Sequence, residues 1–310
     1  MNTLKKRNPS CWIALRLMIA RLLVVVAAGA AVVACTPDLT DAEHVQKARE
    51  FQGKGQVQAS VIELKNALLK NPKNLEARAL LGQAYIEIGD GAAGEKELRQ
   101  AVDLGMPAQS ILRLLAQAQL LQGDYDDLLE ESSEQIDDLA PAERAELVAI
   151  RGHALAALSR FDAAGEAYDS ALALESASRE ARLGNANLAL LRGDADKARK
   201  LADELIADAP DFGRAWVLLG DLERLTGNMQ KAEEAYTRSI GLHANNSYDF
   251  AQRAFVRIQL EDYDGAKADI AAVNKARPGA VEGAYLEGVL QFKQGKFAEA
   301  QVALENAVSR

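Results

Sequence analysis

The stretch Gly213–Asn246, GRAWVLLGDLERLTGNMQKAEEAYTRSIGLHANN, decides the fold. Trp216, Leu219, Gly220, Ala232 and Tyr236 fall at helical spacing, and Thr226-Gly227-Asn228 interrupts them. Glycine before a polar residue suits a helix C-terminus running into a tight turn, so the segment reads as two helices joined by a turn. The same punctuation recurs as Gly89-Asp90, Gly123-Asp124, Gly193-Asp194 and Gly295-Lys296.

Working outward, the small residue at position 8 of the segment, Gly220, has equivalents at Ala48, Gly82, Ala116, Gly152, Ala186, Ala254 and Gly288. The steps are 34 residues, with a single step of 36 between Ala116 and Gly152. Twelve residues further on, a second small site reads Ser60, Gly94, Leu128, Ala164, Ala198, Ala232, Ala266 and Ala300. Pro72, Pro107, Pro210 and Pro278 close units. A fixed period in this range marks stacked supersecondary units that bury their apolar stripes on their neighbours, so no single compact core is expected. Units begin near residues 41, 75, 109, 145, 179, 213, 247 and 281, the last stopping short of a full period. Aromatic residues make up only 5% of the 310-residue chain and no long stretch alternates apolar and polar residues, which fits an all-α fold. The small sites imply close helix crossing within each unit, where a side chain larger than alanine is expected to push the two backbones apart.

On these residues the chain resembles the tetratricopeptide repeat family, with its W-x2-L-G-x2-Y…A-x3-F…A…P signature. Unit Leu75–Ala108 carries Leu81, Gly82, Tyr85, Gly94, Leu98 and Ala101 in those slots. The resemblance covers about residues 41–310 and implies a right-handed superhelical solenoid of about eight helical hairpins. The third unit fits worst, with Leu128, Ser132 and Gln135 where Ala, an aromatic and Ala belong, and two extra residues follow near Ala140-Pro141. Looser packing and a bend are expected there.

Residues 1–34 read as a targeting segment. Lys5, Lys6 and Arg7 precede an apolar run, Leu22–Ala34, that is short for a bilayer span and suits a secretory signal. Met1 and Met18 both fit as its start. The run ends in Val32-Val33-Ala34-Cys35, which resembles a bacterial lipobox. That resemblance implies cleavage before Cys35, lipid attachment to its thiol, a short tether over 35–40 and a lipid-anchored domain facing the periplasm. Thr36 in place of Asp favours the outer membrane. Cys11 lies inside the signal, so the mature chain holds one cysteine and no internal disulfide is expected. Removing the five basic residues of 1–34 from the whole-chain net charge of −9 leaves −14, a poor match for nucleic acid.

No catalytic constellation is present in the sequence. His44, His153 and His243 lie about 90 residues or more apart, and there is no H-E-x-x-H, C-x-x-C, glycine-rich phosphate loop or G-x-S-x-G. Asp262-Tyr263-Asp264-Gly265 looks like the head of a calcium loop, but Val273 stands at the twelfth position, where glutamate is needed. No enzyme activity, cofactor or metal is therefore expected. The family resemblance implies a concave groove lined by positions 2, 5, 9 and 12 of each first helix. Position 9 reads Gln83, Gln117, His153, Asn187, Asp221, Phe255 and Val289, with Arg113 and Arg224 beside the ladder and Tyr248, Tyr285 and Phe292 toward its C-terminal end. Such a face suits an extended protein or peptide partner, and its aromatic end suits a polysaccharide as a second candidate. Trp216, Tyr85 and Tyr236 are expected in the hairpin core.

Ser60–Leu68 before Asn71-Pro72, then Glu95-Lys96-Glu97-Leu98-Arg99 and Asp103-Leu104-Gly105-Met106-Pro107, further resemble the start of the repeat lipoproteins of the PEP-CTERM/exosortase systems. Members of that family are longer, which implies that these residues are an N-terminal part. The resemblance implies a scaffold in exopolysaccharide export or PEP-CTERM protein sorting. A direct carbohydrate binder and an assembly lipoprotein for pili or outer-membrane proteins are the alternatives.

Overall fold

Position 15 of every unit has a left-handed backbone, and this turn sets the architecture. In the computed structural model, which describes residues 39–133, 136, 139–242 and 247–309, φ is +68° at Gly55, +83° at Gly89, +84° at Gly123, +79° at Gly193, +84° at Gly227 and +75° at Gly295. Ser159 (+58°) and Glu261 (+63°) hold the same conformation without glycine. At each turn the next residue's N–H reaches back to the carbonyl five residues earlier, as in Asp90 N to Tyr85 O (2.8 Å) and Asp262 N to Arg257 O (2.9 Å). This is the hydrogen-bonded helix stop that needs a left-handed residue. Asp90, Asp194 and Asp262 then cap the following helix by accepting from Ala93, Lys197 and Gly265 N–H groups at 3.0, 3.1 and 3.0 Å. The left-handed residue therefore ends one helix and the aspartate after it starts the next.

The result is a series of helical hairpins: α1 Asp41–Gly53, α2 Val57–Lys70, α3 Leu75–Glu87, α4 Gly91–Asp103, α5 Leu112–Gln122, α6 Tyr125–Glu131, α7 Pro141–Ala157 and α8 Phe161–Leu174. The series continues with α9 Arg179–Leu191, α10 Ala195–Asp208, α11 Gly213–Leu225, α12 Met229–Leu242, α13 Ser247–Gln259, α14 Tyr263–Ala276, α15 Val281–Lys293 and α16 Phe297–Val308. A 3-10 turn, Ala108–Ile111, precedes α5. The described residues contain no strand. The chain divides into two compact units, 1–77 and 78–310. The signal segment, Cys35, Gln135 and His243 lie outside the described residues.

Within 78–310 the core is a chain of small clusters. One holds Leu183, Ala186, Ala202, Leu205, Ala215 and Leu218, and another holds Ala254, Ile258, Ala266, Ile270, Leu286 and Leu290. Each cluster takes residues from both helices of a hairpin and from the first helix of the next, so neighbours complete one another.

The position-8 glycines correct the expectation that larger residues there would separate backbones. A Cβ on Gly220 would lie 2.6 Å from Cε1 of Tyr236, on Gly152 2.5 Å from Cε1 of Tyr168, on Gly82 2.7 Å from Cγ of Leu98, and on Gly288 2.6 Å from Cγ of Leu304. The obstacle is in each case a side chain sixteen residues on. Where position 8 is alanine, that later residue is never aromatic: Ala186 goes with Ala202 and Ala254 with Ile270. Backbone approach also limits size in α3 and α4: a Cβ on Gly82 or Gly94 would stand 3.1 Å from the other's carbonyl oxygen, and one on Gly91 2.5 Å from the Ala118 carbonyl oxygen.

The third unit departs from the pattern. Its second helix, α6, has seven residues, whereas the other second helices have 12 to 14. Arg151 of α7 covers the early stop, donating to the Leu129 carbonyl and to Ser132 Oγ, both at 2.7 Å. Leu128 fills the small-residue slot and is fully buried. With Pro141 as its first residue, α7 begins four residues ahead of the repeat phase and gains an extra turn.

Gly193 and Gly227 have open space where a Cβ would stand, so substitution there tests conformation alone. Gly227→Ala is expected to lower stability by about 1 kcal/mol in urea unfolding. Glu261→Ala, already left-handed, is expected to change it by less than about 0.5 kcal/mol. Equal losses in the two would show that the turn conformation is not what glycine supplies.

Candidate functional site

A helix repeats its face every 3.6 residues, so positions 2, 5, 9 and 12 of a first helix share one side. The first helices stack on one another, α5 on α7, α7 on α9, α9 on α11 and α13 on α15, which sets these sides next to each other.

The side chains on this face are tied from unit to unit. Position 9 of one unit reaches position 2 of the next, 27 residues on. His153 Nε2 lies 3.4 Å from Glu180 Oε2, and Tyr248 donates to Asp221 at 3.2 and 3.3 Å. The same spacing joins Arg49 to Glu76 within residues 1–77. Arg113 spans the two-residue insertion: it donates to Gln117 Oε1 at 3.2 Å and pairs through Nε with Glu146 Oε2 at 3.1 Å.

Two clusters dominate. In the first, His153 Nδ1 hydrogen-bonds the Tyr168 hydroxyl at 2.9 Å, and Glu180 also receives Arg214. Burial pushes the Glu180 carboxyl up, but the His153 contact and the Arg214 charge outweigh it and leave the group below its ordinary value. In the second, Asp221 accepts from the Tyr236 hydroxyl at 2.7 Å as well as from Tyr248, with Arg224 Nη2 3.8 Å away. Here burial wins over those hydrogen bonds and the Arg224 charge, and the Asp221 carboxyl is held above its ordinary value. Burial, with the Asp221 charge adding to it, also raises the Tyr236 and Tyr248 hydroxyls.

The remaining residues separate by role. Gln83 donates to Glu87 at 3.0 Å on its own helix. Phe255 packs half-buried on the Ala254–Ile258 cluster. Asn187 has no side-chain hydrogen bond among the described residues and lies between the two clusters. Toward the end of 78–310, Tyr285 and Phe292 are about half exposed, and Phe292 meets Phe297 edge-on with ring centres 5.5 Å apart. Tyr236 is fully buried, as the core expectation had it. Trp216 is not: it stands half-buried at the surface, donates through Nε1 to the Pro210 carbonyl at 3.0 Å, and carries Arg238 over its ring at 5.9 Å.

Among the described residues no group of three His, Cys, Asp or Glu side chains could hold a metal ion, and no helix is long and apolar enough to cross a membrane. The acidic turn at 262–265 is occupied internally, with Asp262 capping α14 and Asp264 meeting Lys267 Nζ at 3.2 Å.

A family model described as tetratricopeptide repeat matches residues 45–103, 80–127, 151–211, 184–247 and 252–308. No curated protein matches the chain. Similar solved structures include MamA, 19% identical over 51% of this chain and 92% of that one, with a TM-score of 0.43. A tetratricopeptide repeat protein from Parabacteroides merdae is 17% identical over 87% of this chain and 92% of that one, with a TM-score of 0.44. YrrB, described as a TPR protein with an unusual peptide-binding site, is 20% identical over 57% of this chain and 91% of that one, with a TM-score of 0.43.

The two kinds of position-9 residue should separate experimentally. Asn187→Ala is expected to leave stability within about 0.5 kcal/mol of the native chain. Tyr236→Phe leaves the half-buried Asp221 short of a donor and should cost about 1–3 kcal/mol. Because folding raises the Asp221 pKa above its ordinary 3.8, its contribution is full below that value and is lost as pH rises through the folded one. The native chain should therefore lose stability relative to Asp221→Asn over that rise. A difference of opposite slope in urea unfolding across pH would contradict the assignment.

Proposed function

Since the chain belongs to the tetratricopeptide repeat family, we propose that it is a non-catalytic interaction scaffold whose first-helix face receives an extended segment of a protein partner. The observation that carries this reading is Asn187. It offers both an amide N–H and a carbonyl, half-buried, on a face where its neighbours His153 and Asp221 already have partners in their own and the following units. An amide so placed can pair with the peptide backbone of a ligand. Arg214, about half exposed beside Glu180, adds a cation to the same stretch.

The site of action in this proposal is the periplasmic side of the envelope, most simply the outer membrane. The support is the run ending in Val32-Val33-Ala34-Cys35 and the basic residues before it. Lipid on Cys35 would anchor the chain, since several acyl chains on one residue bind a bilayer firmly. Partners drawn from exopolysaccharide export or PEP-CTERM sorting rest on the resemblance of Ser60–Leu68 and Glu95–Pro107 to that lipoprotein family. Direct carbohydrate binding is the second reading, favoured by the exposed Tyr248, Tyr285 and Phe292, whose rings could stack on sugars.

A crosslinking pull-down from the native envelope tests both, with the native chain compared with Asn187→Ala and Gln117→Ala. The scaffold reading expects envelope proteins that are lost in the variants. Recovery of glycan alone, sensitive to Phe292→Ala, would replace it with the carbohydrate reading. Cys35→Ala should release the chain from the membrane fraction, and retention there would sink the lipid anchor.

A further inference from the structure

Beside the last residue of α6 is a cleft of about 340 Å3 that lies apart from the first-helix face and is bounded below by residues of the core cluster around Leu98, Ile111 and Leu115. Its floor is apolar: Val102 from the last turn of α4, Ala108 from the 3-10 turn, and Leu112 and Leu115 from α5. These come from positions that point toward the second helices, so the cleft opens between α4, α5 and the end of α6. Its volume sits at the lower end for ligand pockets and suits one side chain.

Three charged residues form the rim, and two of them are already satisfied. Arg99 donates to Glu95 at 2.7 Å and to both oxygens of Glu131 at 2.9 and 3.0 Å. Glu131 further accepts from Gln119 at 3.1 Å. The third, Asp103, is exposed and makes no hydrogen bond or ion pair among the described residues. On α6, Asp126 is balanced by Arg160 at 3.6 Å. The uncompensated charge at the mouth is therefore negative over an apolar floor.

We propose that this cleft is a second binding site, which takes an apolar side chain flanked by a cationic one, as in a peptide carrying leucine next to lysine. The apolar side chain leaves water on the leucine floor while the ammonium meets Asp103 at the rim. The proposal does not rest on the first-helix face and stands or falls separately from it.

The test uses the full chain with methyl-labelled Leu and Val, titrated by NMR with N-acetyl-leucyl-lysyl amide and, in parallel, N-acetyl-leucyl-glutamyl amide. Saturable shifts confined to Val102, Leu112 and Leu115 are expected with the lysyl peptide. Ala108→Trp, at an exposed position, should fill the cleft and abolish them. Asp103→Asn should weaken the lysyl peptide about twofold to fivefold and bring its binding close to that of the glutamyl peptide. Shifts that survive Ala108→Trp, equal binding of the two peptides, or no saturable shift up to ~10 mM would overturn the proposal.

Discussion

The interaction on which the rest depends is a large side chain seated in a notch left by glycine. Tyr168 is the fullest instance: its ring occupies the space where a Cβ of Gly152, in its own hairpin, and of Gly184, in the next, would stand. The ring is fully buried, and its hydroxyl emerges on the first-helix face to meet His153. Tyr236 repeats the arrangement with Gly220 and Asp221. One residue thus fixes the crossing of two helices, the seating of the next unit and the position of a polar group on the outer face. Interiors packed to crystal-like density tolerate little change at such a point.

From this follows the order in which the polar face is built. Position 24 sets the hairpin, the hairpin sets the phase of the first helix, and the phase brings position 9 to position 2 of the following unit. Charged pairs behind the face reinforce the stacking. Asp269, almost fully buried, is held by Arg253 at 2.6 and 2.9 Å and by Arg257 at 2.9 Å, and Arg257 reaches back to Glu233 of the preceding hairpin at 2.8 Å. A buried carboxylate of this kind requires such a set of donors, because an unpaired charge there would be strongly destabilising. The third unit lacks a large residue at position 24, where Ser132 stands, and its second helix stops at the same place.

Much of the fold was legible in the chain because it is a periodic solution to a periodic problem. The glycine at position 15 and the small residues at positions 8 and 20 identify the turns and crossings by spacing alone, and even the weak third unit announced itself through Leu128 and Ser132. What spacing could not reveal is which partner each residue takes. Gly220 reads as small, but not as the receptacle of Tyr236, although the sixteen-residue offset from position 8 to position 24 carries that information once it is looked for. The ladder of Gln117, His153, Asn187 and Asp221 read as a set of open polar groups. The 27-residue offset to Glu180 and Tyr248 shows that most are engaged, and Asn187 stands out only when the neighbours are in place. Trp216 read as core because its phase matches the signature, yet Pro210 and Arg238 give its indole partners at the surface.

The most direct test of the glycine notch is a double-mutant cycle on Gly184 and Tyr168 followed by urea unfolding. In a helix interior, glycine to alanine ordinarily stabilises by about 0.5–1 kcal/mol. Gly184→Ala in the native chain should instead destabilise by about 1–3 kcal/mol, because the new methyl group overlaps the Tyr168 ring. In the Tyr168→Leu background the same substitution should return to a gain. A loss of equal size in both backgrounds would contradict the account and place the constraint in the backbone instead of the ring.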